Sequence, residues 1–192
     1  MVKAMEKTNY PMVLSLSPGG RSMPENMPTY QKATTLRITA DIWDNDKSID
    51  RAFAGLKKFF PYAQKDFFLD LDMLCLGHLR LNVPQEVSDA LASRNMELAG
   101  EGKERMCRMT RPQQRSFMTI RALCASPLII GSDLPTLDPW TIDLLTNRDM
   151  IACNQLARKC EPVNVEGFTV WKNDVGYAGV FNRSGEKKIF VP

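Results

Sequence analysis

Apolar positions along this 192-residue chain follow two periods that take turns. From Thr34 to Asp41, Leu36, Ile38 and Ala40 alternate with Arg37, Thr39 and Asp41, which predicts a short strand carrying Arg37, Thr39 and Asp41 on one face. That face ends in a carboxylate. Pro11 to Leu16 predicts another strand, closed by S-P-G-G, and Phe67 to Leu76 a third, ended by Gly77. On the third strand Asp70 and Asp72 stand two apart and are expected to face the same way. Pro127 to Gly131 predicts a fourth, with Ser132 and Asp133 at its C-terminal end.

Between these runs the period lengthens to that of a helix. Ser48 is the expected cap of a helix with apolar Ile49, Phe53, Leu56, Phe59 and Phe60, stopped by Pro61. Thr110 caps a second, with Pro112 and Gln113 in its first turn and Phe117, Ile120, Leu123 and Cys124 as its buried stripe. Asp138 and Pro139 start a third, to about Leu145, and Met150 to Gln155 follows. Val2 to Thr8 reads as a fragment of polar helix, and Pro24 to Tyr30 as loop or short helix. Val83 to Cys107 is polar, holds Gly100 and Gly102, and reads as an insertion with one helical piece from Pro84 to about Leu98.

From Val163 the rhythm changes to short strands, Phe168 to Trp171, Tyr177 to Phe181 and Lys188 to Val191, separated by turn residues, an antiparallel meander. Strand, loop and helix repeated four times predict parallel strands with right-handed crossovers. The expected class is therefore α/β, a partial (β/α)8 TIM barrel of about four strand-helix units followed by a short antiparallel β segment. The expected division is residues 1–158 for the barrel part and 159–192 for the start of an antiparallel β domain. Charge at a strand's C-terminal end suits a barrel, whose chemistry sits there.

Composition narrows the partners. Net charge is only +3 and the 25 basic residues are dispersed, so nucleic acid is not implied. No run approaches the ~18 apolar residues of a membrane span, and Met1 to Leu14 lacks the pattern of a signal peptide; the compartment stays open. Five cysteines without a CxxC pair, and the single histidine His78, argue against a zinc site and for buried free thiols. No cofactor is expected. His78 itself reads as a satisfied turn residue.

Several ordered segments carry a resemblance. The runs L-R-I-T-A-D-I-W-D-N, D-L-D-M-L-C-L-G and S-P-L-I-I-G-S-D-L, followed by L-D-P-W-T-I-D-L-L-T-N-R-D-M-I-A-C-N-Q, resemble in order and spacing the second half of the catalytic barrel of family 27 glycoside hydrolases, the α-galactosidases. V-L-S-L-S-P-G-G and G-K-E-R-M-C-R-M-T-R-P-Q-Q look like the bacterial branch of that family. The likeness covers about Pro11 to Gln155, and the meander is similar to the start of the family's C-terminal β domain.

The resemblance implies a retaining glycosidase with two aspartates about 5 Å apart across the scissile bond. It places Asp41 at the general acid/base position and Arg37 where an arginine holds a sugar hydroxyl. An acid/base aspartate should be less solvated than one at the surface. Trp43 is placed to stack or exclude water, and Asp72 and Met73 at the pocket wall, in a D-P-D-M motif whose proline is replaced by Leu71. Ser17 falls where many animal members carry a glutamate that contacts the sugar. Ser132 and Asp133 would help close the barrel.

The implied substrate is a carbohydrate with a terminal α-D-galactosyl residue; N-acetylgalactosamine and β-L-arabinopyranose are the alternatives, as is a non-catalytic sugar-binding remnant. The family's nucleophile sits on an earlier strand, in a K-x-D motif preceded by an aspartate, and nothing before Pro11 supplies it, so the chain is expected to be truncated and inactive alone. Four strands of eight would leave edges open to self-association.

Overall fold

The computed structural model describes residues 2–81, 84–93, 104–184 and 186. Three parallel strands, β1 (Ser15–Leu16), β2 (Thr35–Arg37) and β3 (Phe68–Asp70), lie side by side in that order. Leu16, Leu36 and Leu69 stand in register across them. The segment predicted as a fourth strand joins β3's extension through one parallel bridge, Leu74 to Ile130. There Leu74 N–H donates to the Ile129 carbonyl at 2.7 Å and Gly131 N–H to the Leu74 carbonyl at 3.0 Å.

The strand through Asp41 is shorter than its alternation predicts. It stops at Arg37, the chain bends at Thr39 and Ala40, and Thr39 packs under a helix instead of sharing a face with Arg37 and Asp41. Close approach is the reason. A side chain at Gly55 would meet the Ile38 carbonyl at 3.1 Å and the Thr39 methyl at 3.4 Å, so the helix presses on the strand's continuation. On the other side, Gly20, at φ +77°, leaves room for Ala40, whose nitrogen a Cβ would meet at 2.9 Å.

Helix α1 (Val2–Glu6) and α2 (Met27–Tyr30) are short. Helix α3 (Asp46–Phe59) is capped by Asn45, not Ser48: Asn45 Oδ1 accepts from Ser48 N at 2.9 Å. Ser48 is buried and its hydroxyl accepts from Trp43 N, so it ties the preceding loop to the first turn. Ile49, Phe53, Leu56 and Phe59 form the buried stripe. β4 (His78–Leu79) pairs antiparallel with β5 (Arg105–Met106), a ribbon the polar composition concealed. Between them lies α4 (Gln85–Ser93); the rest of the helix expected to Leu98, with Gly100 and Gly102, falls outside the described residues.

Helix α5 (Arg111–Leu123) follows the expected cap, with Gln113 Oε1 accepting from Thr110 N at 2.7 Å. Its Phe117, Ile120 and Leu123 are buried, as is Cys124 after it. Next come α6 (Pro139–Leu145), capped by Asp138, and α7 (Arg148–Leu156), capped by Asn147. An antiparallel sheet of β6 (Cys160–Val165), β7 (Phe168–Asn173) and β8 (Ala178–Phe181) follows α7. β6 had no sequence forecast, and the strand expected at Lys188 to Val191 lies outside the described residues.

One apolar core runs from the parallel sheet into the antiparallel one, including Leu36, Leu56, Phe117, Trp171 and Phe181. Phe53 meets Phe181 edge-on with ring centroids 5.0 Å apart, and Phe60 meets Trp171 at 5.8 Å. Burying Phe53 and Phe181 contributes on the order of 1.5–3 kcal/mol each. All five cysteines are free thiols; Cys75, Cys124, Cys153 and Cys160 are buried and Cys107 partly so. Among the described residues no helix is long and apolar enough to cross a membrane.

Candidate active site

The site gathers where β2 and β3 end. Their register sets Arg37 beside Asp70, and Ser17, exposed, follows directly on the end of β1. The Arg37 guanidinium is largely buried and reaches two carboxylates. Nη2 donates to Asp41 Oδ1 at 2.6 Å, and Nη1 lies 3.5 Å from Asp72 Oδ1. Its Nε is buried with no hydrogen-bond partner.

Asp41 departs from expectation. Its side chain is 69% exposed, because the bends at Thr39 and Ala40 carry the chain outward, and among the described residues Arg37 alone holds the carboxylate. Asp70 and Asp72 also fail to face one way. β3 stops at Asp70, and Asp72 takes φ +66°, which breaks the two-residue alternation. Asp70 turns inward and its Oδ1 accepts from Asp72 N at 2.7 Å. Burial pushes its carboxyl up and the adjacent Asp72 charge adds to that, against the lowering effect of the Asp72 N–H. Asp72 Oδ2 accepts from Ile42 N at 2.8 Å, so this carboxylate grips the loop just past Asp41.

Trp43 is half-buried with the Arg80 guanidinium 5.6 Å from its ring centroid. Met73 packs on Gly131, where a Cβ would come within 2.5 Å of the Met73 sulfur. His78 stands in β4, not in a turn, with Nδ1 3.0 Å from Thr136 Oγ1 and Nε2 2.9 Å from Glu104. The Ser132 hydroxyl is buried without a partner, and Asp133 N–H donates to the His78 carbonyl. Among the described residues no group of three His, Cys, Asp or Glu side chains comes together to hold a metal.

Two residues that shape this region escaped the sequence reading. Asp44 is wholly buried, and its carboxylate accepts from Arg105 Nη2 at 2.7 Å and from the Arg108 backbone N–H at 2.9 Å. Burial alone would raise its carboxyl, but the Arg105 and Arg108 bonds outweigh it and hold the group below the usual range. The pair spaced three apart in R-M-C-R was the available signal. Arg121 lies on the buried face of α5, four residues past Phe117, entirely shielded from water. A lone cation within an otherwise apolar stripe was its mark.

The arrangement joins an exposed carboxylate and a buried guanidinium with an unpaired donor at one sheet end, with the half-buried Trp43 two residues past the carboxylate. That set suits binding a polyhydroxylated ligand and moving one proton.

No protein-family profile matches the chain. It is similar to α-galactosidase 2 of Arabidopsis thaliana, 31% identical over 138 residues that make up 70% of this chain and 28% of the relative. It is similar to the α-N-acetylgalactosaminidase of Gallus gallus, 25% identical over 183 residues, 90% of this chain and 36% of that one. Among solved structures, the family 27 β-L-arabinopyranosidase of Geobacillus stearothermophilus superposes with a TM-score of 0.82 at 28% identity, over 97% of this chain and 41% of its own. The chain thus spans roughly a third of the two curated relatives.

Proposed function

We propose that this chain, which belongs to the α-galactosidase-like glycoside hydrolase family 27, supplies the acid/base side of a retaining glycosidase site acting on terminal α-D-galactosyl residues. Its sheet is then part of a (β/α)8 barrel, with residues 1–158 in the catalytic part and β6 onward in a β domain. Asp41 protonates the departing glycosidic oxygen and later takes a proton from water. Arg37 holds a sugar hydroxyl. Ser17, Trp43, Asp72 and Met73 line the pocket wall.

The observation that carries this reading is Arg37. Two of its nitrogens are engaged by Asp41 and Asp72, while its buried Nε–H has no partner. Native structures rarely leave a buried donor unpaired, and a sugar hydroxyl is the acceptor that would satisfy it. The exposure of Asp41 leaves its free oxygen accessible to a leaving group, though without the shielding expected of an acid/base aspartate.

The covalent step of a retaining enzyme needs a second carboxylate as nucleophile, and no K-x-D segment precedes β2 in this chain to supply it. The chain by itself therefore binds sugar without turnover. The test is an NMR titration of the labelled chain with galactose, beside an assay with an aryl α-galactoside. Expected are saturable shifts at Arg37 and Asp41, lost in Arg37→Met, and no hydrolysis above background. Turnover abolished by Asp41→Asn refutes the division of labour. Absence of shifts with galactose, N-acetylgalactosamine and arabinose alike refutes the sugar site, and the strongest of the three responses names the substrate.

A further inference from the structure

Arg121 is a cation in the core. Its side chain is completely buried on the apolar face of α5, stacked 3.6 Å from the Phe117 ring centroid. Burial lowers its pKa to about 10, opposed by Cys75, Asp72 and Asp70, so it stays charged at neutral pH. Taking such an ion out of water is costly and is repaid only where good hydrogen bonds satisfy it. Its hydrogen bonds account for its place there. Nη2 donates to the Leu71 carbonyl at 2.7 Å, Nη1 to the Phe117 carbonyl at 3.1 Å, and Nε lies 3.5 Å from the Asp72 carbonyl.

Two of these acceptors, the Leu71 and Asp72 carbonyls, belong to the turn that ends β3. Leu71 N–H donates to Ser126 Oγ at 2.9 Å, and Asp72 N–H to Asp70 Oδ1. The polar groups of the turn thus bond to side chains, two of them from the end of α5. That end is itself tied to α7, since Asn154 Nδ2 donates to the carbonyls of Arg121 and Ser126. The motif this segment resembles has proline where Leu71 stands. A proline would fix its own φ and would have no N–H for Ser126. With leucine there, the left-handed backbone of Asp72, which costs a non-glycine residue about 1 kcal/mol or more, must be held from outside.

We propose that Arg121, with Ser126, is a positioning residue that locks the Leu71–Asp72 turn so that the Asp72 carboxylate holds both Arg37 and the backbone after Asp41. The path is short: Arg121 to the Leu71 carbonyl, Asp72 to Ile42 N–H and Arg37, Arg37 to Asp41. Its functional meaning rests on Asp41 being the acid/base. Its physical content does not.

The test is amide hydrogen exchange by NMR on the whole 15N-labelled chain, comparing wild type with Arg121→Met, Arg121→Lys and Ser126→Ala. In Arg121→Met, protection at Ile42 and Asp72 falls about tenfold or more, the loss expected when a charge-assisted bond is released. Amides in α3 and in β6–β7 keep theirs, and Arg121→Lys recovers part of the loss. A uniform fall at every amide would show a merely structural role, and unchanged exchange at Ile42 would show that the turn holds itself; either overturns the proposal. Should Arg121→Met fail to fold, Ser126→Ala decides, with a smaller loss at the same two amides expected and an unchanged or uniform pattern refuting. Because no sugar is present, the result is independent of whether Asp41 proves to be an acid/base.

Discussion

Asp44→Ala removes a carboxylate that is wholly buried between two arginines. The side chain accepts from Arg105 Nη2 at 2.7 Å and Nε at 3.2 Å, and from Arg108 N at 2.9 Å and its Nε and Nη2 at 3.3 Å. Breaking a buried pair by deleting one partner costs about 3–5 kcal/mol, because the other charge is left without compensation. Here Arg105 is 16% exposed and Arg108 49%, so Arg108 regains water and the lower end applies, about 3 kcal/mol. Urea unfolding followed by circular dichroism would then show the midpoint falling by about 1–2 M at an ordinary slope.

The pH dependence has a definite sign. The folded-state pKa of Asp44 is depressed, so its contribution is present above the unfolded value near 3.9 and lost as pH falls through the folded one. The gap between wild type and Asp44→Ala therefore closes below about pH 4. A double-mutant cycle with Arg105→Met isolates the pair. A loss under about 1 kcal/mol, the value of an exposed ion pair, refutes the view that Asp44 anchors the 104–109 segment to the loop after Asp41.

Three further outcomes are open to direct measurement. Burial pushes the Cys107 thiol up to about 11 and the Cys75 thiol higher still, so a thiol reagent at neutral pH should label the folded chain slowly, at Cys107 first, and all five cysteines after denaturation; rapid labelling of Cys75 in the folded chain contradicts its burial. Asn45→Ala should cost α3 about 1 kcal/mol by removing the bond to Ser48 N, whereas Asn45→Asp should cost little; thermal denaturation distinguishes them. Val13, 74% exposed, and Ile129, 55% exposed, lie at the two outer strand segments, so sedimentation velocity should show concentration-dependent association that Val13→Lys with Ile129→Lys reduces; a monomer at all concentrations rules that out.

The stripes of α3 and α5 and the caps at Thr110 and Asp138 were readable in the sequence, because a helix's periodicity and its caps are local. So was the placing of Arg37 and Asp41 four residues apart at the end of one strand, whereas the ion pair between them came from the structure. Where β2 stops was not readable, since Gly55 of α3 pressing on Ile38 and Thr39 is a contact between elements. Asn45 displaced Ser48 as the cap because Ser48's hydroxyl is claimed by Trp43 N–H. β6 stayed hidden because its polar, proline-bearing run earns its place only by pairing with β7.

By itself the sequence determined which residue types stand at the strand ends, and so the kind of chemistry on offer. Only the tertiary structure decided how they are held. The left-handed turn at Asp72 separates two aspartates that alternation would align, turning Asp70 inward and leaving Asp72 to grip Ile42 N–H and Arg37. Arg121 entered through packing alone, because a buried cation finds its acceptors in backbone carbonyls 50 residues away, which no local pattern records.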